Sequence, residues 1–317
     1  MTIIVTGAAG FIGTNFVYYM LSVHPDYTII GYDALTYAGN ITNLDKAIEN
    51  HRFTFIKGDI RDRDAVYKLC QKTHPDIIIN FAAESHVDRS IENPSIFIQT
   101  NVEGTEVLLD AAVKYGVKRF HQISTDEVYG DLPLDKPELK FSEISPLRPS
   151  SPYSASKAAT DLLTLSYHRT YGLNTTISRC TNNFGPYQHE EKLIPKTIQN
   201  ALSNKAIPVY GTGLNIRDWI YVLDHCKAVD SIIHKGRNGE IYNIGADNEI
   251  SNITLIKQIL SSLNKSEALI TYVEDRKGHD LRYALDSSKL KKEFPALSFS
   301  PFDKALQRTI EWYHPTC

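Results

Sequence analysis

Tyr153 and Lys157 stand four residues apart in the run Tyr153-Ser154-Ala155-Ser156-Lys157, a spacing that sets both side chains on one face of a helix. Among 18 tyrosines no other has a lysine at that distance, so the pair singles out one phenol. An ammonium beside it favours the phenolate, and a tyrosine tuned this way can take a hydroxyl proton while hydride leaves the same carbon. A surface helical pair has the same spacing and no such task. The second chemistry-bearing run is Ser124-Thr125-Asp126-Glu127-Val128-Tyr129-Gly130. Two neighbouring carboxyls whose pKa values are pushed apart can act as one acid and one base. Successive side chains of a regular strand point to opposite faces, so the two share a site only if the chain turns there, for which Gly130 is suited. Otherwise they form a solvated loop pair.

A third run, Gly7-Ala8-Ala9-Gly10-Phe11-Ile12-Gly13, spaces its glycines G-x-x-G-x-x-G directly after an apolar stretch. Glycines there permit a tight turn, let backbone approach a pyrophosphate and let the next helix pack closely on the strand. The start of that helix then presents free N–H groups to an anion. Asp33, twenty residues beyond Gly13, suits hydrogen bonds to ribose hydroxyls and repels a 2′-phosphate, which favours NAD over NADP. Asp59, after a third apolar run, is a further candidate beside the adenine.

The elements that would position these groups are legible as alternation. Short β-branched runs, Ile3 to Val5, Tyr27 to Ile30, Phe53 to Ile56, Ile77 to Ile79 and Phe120 to Ile123, are separated by longer segments of helical character. Runs apolar on both faces suit a buried parallel sheet. Asn101 to Tyr115 carries a broad apolar helical stripe with Gly116 as a stop. This predicts an α/β protein, a doubly wound parallel Rossmann sheet with right-handed crossovers. Asn174 to Ser178 reads as another strand, and the texture then becomes less regular, with Gly and Pro in Asn182-Asn183-Phe184-Gly185-Pro186-Tyr187. The expected division is a cofactor-binding domain over 1–180, with a late return to the sheet near 212–245 that includes Ile241 to Ile244. A smaller C-terminal α/β substrate-binding domain is expected over 181–317.

Composition narrows the class. In 317 residues, 34 basic against 37 acidic side chains leave a net charge of −3, so no global field draws the chain to nucleic acid or membrane. Hydrophobic residues at 42% and charged ones at 22% are globular values and exclude a disordered or fibrous chain. No apolar run, Ile77 to Ile79 among them, approaches the length of a membrane span. The start Met1 to Gly7 lacks the pattern of a secretory leader. Cys70, Cys180, Cys226 and Cys317 lie far apart, with no zinc-type Cys/His spacing among them. A cytoplasmic protein without a metal is expected.

Eight segments together resemble the extended short-chain dehydrogenase/reductases (NAD-dependent epimerase/dehydratases), and within them the dTDP-glucose 4,6-dehydratase family. They are Thr6 to Gly13, Asp33 to Asn40, Ala82 to Asp88, Ser124 to Gly130, Ser151 to Lys157, Asn182 to Tyr187, Arg217 to Trp219 and Asp275 to Tyr283. The glycine turn and the Tyr153/Lys157 pair mark the superfamily, whereas Thr125-Asp126-Glu127 and Gly278 to Tyr283 are more specific. The resemblance implies a homodimer that holds NAD as a retained catalytic group and acts on a nucleotide sugar, dTDP-glucose. Its catalytic residues would be Thr125, Asp126, Glu127, Tyr153 and Lys157. For the cofactor it adds Phe11, Ile12, Ala34, Leu35, Thr36, Ile60, Ala82, Ala83, Thr100 and Asn183 to Gly7, Gly10, Gly13, Asp33 and Asp59, with Tyr153 and Lys157 also in contact. For the nucleotide sugar it implies Ser85, Thr125, Asn182, Lys192, Leu193, Tyr210, Arg217, Asn252, His279, Arg282 and Tyr283. A guanidinium such as Arg217 suits a diphosphate through paired charge-assisted hydrogen bonds. Phe184 and His189-Glu190 depart from the tyrosine and Phe-Pro more usual in the family.

The implied reaction oxidises C4, expels water across C5 and C6, and returns hydride to C6, giving a 4-keto-6-deoxy sugar for deoxysugar supply such as rhamnose. In it Tyr153 takes the 4-hydroxyl proton, Glu127 the C5 proton, and Asp126 protonates the departing 6-hydroxyl. A 4-epimerase of the same fold needs the tyrosine and NAD but no acid/base pair for water loss. A dehydratase of UDP- or GDP-hexose would carry the same reacting groups, and a non-catalytic NAD-binding regulator would keep the glycine turn without needing them.

Overall fold

The computed structural model describes residues 1–275 and 278–314. Arg276 and Lys277, inside the last of the eight segments, and Cys317 lie outside the described residues. The strands are β1 (Thr2–Thr6), β2 (Thr28–Asp33), β3 (Phe53–Lys57), β4 (Ile77–Asn80), β5 (Arg119–Thr125), β6 (Thr175–Cys180), β7 (Asn182–Phe184), β8 (Ile207–Tyr210), β9 (Ile216–Tyr221), β10 (Glu240–Ile244), β11 (Glu249–Ser251) and β12 (Ile270–Val273). Seven of them form one sheet in the order β3-β2-β1-β4-β5-β6-β10, every pair parallel. This is the doubly wound order, and its direction reverses between β1 and β4, where a crevice opens beyond the strand ends. The run Ile241 to Ile244 joins this sheet in register with Ile177 to Cys180.

The two faces follow from strand periodicity. Ile3 and Val5 pack into one layer with the helices Phe11–Val23 and Val222–Lys235, while Ile4 packs into the other. That second layer holds Val66 and Leu69 of Arg63–Thr73, Val107, Leu108, Leu109, Ala111 and Ala112 of Gly104–Lys114, and Tyr167 of Pro152–Tyr171. Each large aliphatic side chain removed from water in this way contributes about 1.5–3 kcal/mol. The helix expected over Asn101 to Tyr115 starts earlier than its stripe, with a wide turn over Ile98–Glu103 before the regular part, and ends at Gly116 with φ +64°.

The remaining strands build a smaller unit. β7, β9 and β11 form one sheet and β8 pairs with β12. Phe184, Ile194, Ile198, Trp219, Leu255, Ile259, Leu306 and Ile310 fill its core. Helix Pro152–Tyr171 links site to scaffold. Ser151 and Ser154 cap its start reciprocally with Pro152 in the first turn, and Gly172 ends it in the left-handed conformation. Among the described residues no helix is long and apolar enough to cross a membrane. Cys70, Cys180 and Cys226 are free and buried.

Candidate active site

β1 ends in the glycine turn, and the turn has no room for side chains. A Cβ on Gly7 would stand 2.7 Å from the Ala82 nitrogen, and one on Gly13 would stand 2.1 Å from the Gly7 oxygen. No side chain caps the helix start at Gly10, so its first N–H groups are left to a ligand. Across the turn, the Asp33 carboxylate accepts N–H bonds from Ala9 at 2.9 Å and Leu35 at 2.7 Å. Burial pushes this carboxyl up, and the two backbone bonds oppose that. Every residue named above for the cofactor lines the resulting groove except Leu35, whose part is to hold Asp33. Asp59 reaches the groove with its carboxylate paired to Arg61. Close backbone, an uncapped helix start and a carboxylate at the end of the second strand fit a dinucleotide such as NAD.

The reacting groups sit further along the same groove. After Thr125 the chain breaks from β5 into a short turn, Asp126–Tyr129, closed by Gly130 at φ +88°. A Cβ on Gly130 would lie 2.4 Å from the Arg148 oxygen. That turn brings Asp126 and Glu127 to one cavity, which a continuing strand would forbid. The Thr125 hydroxyl donates to Asp126 Oδ1 at 3.1 Å and accepts the Glu127 N–H at 3.3 Å. Asp126 is 2% exposed, and its Oδ2 has no hydrogen-bond partner among the described residues. Burial, then the neighbouring Glu127 charge, hold its carboxyl well above the usual range. That shift favours the protonated form, the form able to act as an acid in the cavity that Asp126 lines.

Tyr153 and Lys157 lie one turn apart on helix Pro152–Tyr171, both buried and both lining the groove. The electrostatics differ from the expectation of an acidified phenol. Burial, then Glu127, Cys180 and Asp126, push Tyr153 well above its ordinary value, and the Thr125 hydroxyl pulls the other way. The Lys157 Nζ instead donates to the Ile123 carbonyl at 2.5 Å, and burial pushes it down to about 8. The pair's spacing is local, whereas the sign of the shift comes from carboxylates and low dielectric supplied by other strands.

A second cavity opens beside the groove and shares Ser85, Glu127, Asn182, Glu191 and Lys192 with it. All residues named for the nucleotide sugar line it except Thr125, which lines the groove, and Arg282. Arg217 is held by the carbonyls of Ile216 and Asp280 at 2.8 and 2.9 Å, its guanidinium over the Tyr283 ring at 4.4 Å. Arg282 departs from the expected contact. Its side chain turns away from the neighbouring Tyr283, is 1% exposed, and bonds the Glu249 carboxylate at 2.6 Å and the carbonyls of Lys136, Pro137 and Leu139. It fastens the 131–140 segment to the smaller unit.

Three contributors escaped the sequence. Trp219 lines the second cavity, its buried indole N–H without a partner among the described residues. Asn101 holds the Glu84 backbone and the Ser156 hydroxyl. His225, neutral because burial pushes it down to about 3, holds the Asn183 amide at 2.9 Å. The Arg217-Asp218-Trp219 run was the only signal for the first, and nothing local marks the other two.

An oxidoreductase-type groove that runs into a nucleotide-sized cavity, with one acid/base cluster at the junction, defines the class of extended short-chain dehydrogenase/reductases. The family model of GDP-mannose 4,6 dehydratase matches residues 4–300. A dTDP-glucose 4,6-dehydratase of Xanthomonas campestris pv. campestris is 46% identical over 330 residues, covering 98% of this chain and 93% of its own. The low-salt glycan biosynthesis protein Agl12 of Haloferax volcanii is 49% identical, covering 99% and 98%. DesIV, a dTDP-glucose 4,6-dehydratase of Streptomyces venezuelae solved with NAD bound, superposes with a TM-score of 0.95 at 46% identity, covering 99% and 97%. The chain belongs to the nucleotide-sugar 4,6-dehydratase family.

Proposed function

We propose that this chain is a dTDP-glucose 4,6-dehydratase, a hydro-lyase that converts dTDP-glucose to dTDP-4-keto-6-deoxy-glucose. The observation that carries the reading is the pair Asp126 and Glu127, a buried carboxyl pushed well above its usual range beside a second one that lines both cavities. A 4-epimerase needs no such pair.

Bound NAD supplies a hydride acceptor for C4 and the hydride later returned to C6. Tyr153, with Thr125 at its hydroxyl, takes the 4-hydroxyl proton. Burial and the neighbouring carboxylates oppose ionisation of this phenol, so it accepts that proton only after releasing its own to solvent. The resulting 4-ketone acidifies the C5 hydrogen. Glu127 removes that proton as the C6–O bond breaks, and Asp126 delivers its proton to the departing hydroxyl, which leaves as water. Protonation at C5 and hydride at C6 complete the product, and the proton held by Tyr153 returns to Asp126 through solvent. Arg217, over Tyr283, binds the diphosphate.

Around this chemistry we read a cofactor unit over 1–180, rejoined by β10, a sugar-nucleotide unit over 181–317, and a cytoplasmic homodimer. Exposed apolar side chains on neighbouring helices, Ile98, Val113 and Leu162, support the pairing surface. The test is product analysis after incubating the purified protein, without added NAD, with dTDP-, UDP- and GDP-hexoses. A product of dTDP-glucose lighter by one water, with solvent deuterium at C5, is expected. A product of unchanged mass with C4 inverted would make the chain an epimerase.

A further inference from the structure

Far from the reacting groups, three side chains converge with the donor atoms of a metal centre. His24 follows the last residue of helix Phe11–Val23, whose opposite end forms the glycine cradle, about 20 Å away at 1.5 Å per residue. Asp230 and His234 lie one turn apart on Val222–Lys235, which packs along that helix. His24 Nε2 and His234 Nδ1 each stand 2.9 Å from the same oxygen, Asp230 Oδ1, and the three ligand atoms lie within 4.8 Å of one another. The side chains are 23%, 15% and 22% exposed, shielded enough to be ordered and open enough for an ion to enter.

We propose that His24, Asp230 and His234 bind a divalent transition cation of the zinc type and clamp the end of the cofactor-binding helix to its neighbour. Two imidazoles and one carboxylate are a donor set that zinc takes, with water in the fourth position. Zinc–ligand bonds of about 2.0–2.2 Å place tetrahedral ligands about 3.3–3.6 Å apart, so the two 2.9 Å separations need to open by only a few tenths of an ångström. The surrounding bonds suit the change. Tyr19 donates to Asp230 Oδ2 at 3.1 Å and leaves Oδ1 to the ion. The Tyr27 hydroxyl stands 2.8 Å from His234 Nε2. When Nδ1 takes the cation, it gives up its contacts to Asp230 Oδ1 and to the Asp230 carbonyl at 2.8 Å, and Nε2 carries the hydrogen and donates to Tyr27. Such an outer hydrogen bond fixes the tautomer of a metal-bound histidine. The expectation of a metal-free chain rested on local cysteine and histidine spacing; His24 and Asp230 are 206 residues apart and meet only in the fold.

The test uses the untagged, chelator-treated NAD-loaded protein titrated calorimetrically with Zn²⁺ at pH 7.5, and again at pH 6. We expect one equivalent per chain, a higher melting temperature with Zn²⁺, and affinity at least tenfold lower at pH 6 because protons compete for the imidazoles. His24→Gln, Asp230→Asn and His234→Gln should each weaken binding at least tenfold, with the dehydration rate unchanged. His24→Gln, outside the helix and partly exposed, guards against loss of fold, checked by circular dichroism. No stoichiometric uptake, or uptake of equal affinity in all three variants, would overturn the proposal and leave a hydrogen-bonded cluster only.

Discussion

The groove and the second cavity share Glu127 but are assembled in opposite ways. The groove is laid down at the ends of successive strands of a single parallel sheet: Gly7 to Gly13, Asp59 and Ala82 each follow one strand, and Asp33 ends another. Its shape comes from backbone, and the glycines matter for what they lack. The second cavity is gathered from segments near residues 85, 182, 192, 210, 217, 252 and 279, and its shape comes from side chains. A backbone-built site fails abruptly when crowded, whereas a side-chain-built site weakens by degrees.

The largest expected effect tests the first half of that contrast. Gly13→Ala places a methyl 2.1 Å from the Gly7 oxygen, and neither backbone segment can yield. NAD content after purification, read by absorbance of the extracted cofactor, should fall to near zero; retained NAD would show that the turn adapts. Arg217→Ala tests the other half. Losing charge-assisted bonds worth about 1.5–3 kcal/mol should raise KM for the nucleotide sugar about 10- to 150-fold while NAD content stays whole. Loss of NAD in that variant would mean that the two cavities are not separable. Arg282→Met sharpens the boundary of the cavity, since breaking a buried pair costs about 3–5 kcal/mol. The denaturation midpoint should drop with KM unchanged in the folded fraction, and a raised KM would return Arg282 to the substrate.

The smallest expected effect is a pH dependence centred on Asp126. The folded chain keeps a proton there that the unfolded chain releases above the ordinary value of 3.8. The native state therefore binds more protons, and its stability from this group falls as pH rises from that value until Asp126 ionises. Asp126→Asn should show no gain in urea midpoint near pH 3.5 and a growing gain toward neutrality. A constant difference across that range would mean that Asp126 is charged in the folded protein.

The same contrast governs what the sequence made readable. The strands of the main sheet were legible because Ile3 to Val5 and Ile77 to Ile79 are apolar on both faces, a pattern a parallel sheet demands. The glycine turn and the Tyr153/Lys157 spacing were legible because they are local. The direction of the Tyr153 shift was not, since it depends on carboxylates at the end of β5 and on where the Lys157 ammonium points. Arg282 was placed in the cavity with its neighbours, but an extended chain alternates its sides, and only the fold shows which side faces the ligand. Trp219 had only the Arg217-Asp218-Trp219 run to mark it, and the His225 contact to Asn183 joins residues 42 apart and leaves no local trace.

The central claim is that Glu127 and Asp126 carry out the elimination while Tyr153 serves the earlier oxidation. Rapid mixing of NAD-loaded Glu127→Gln with dTDP-glucose in D₂O tests it directly, by following NADH absorbance and deuterium at C5 together. The account predicts that NADH accumulates while C5 exchange falls about 10²- to 10⁴-fold, the usual contribution of a positioned acid or base. Unimpaired exchange at C5 in that variant would contradict it and assign the base to another residue.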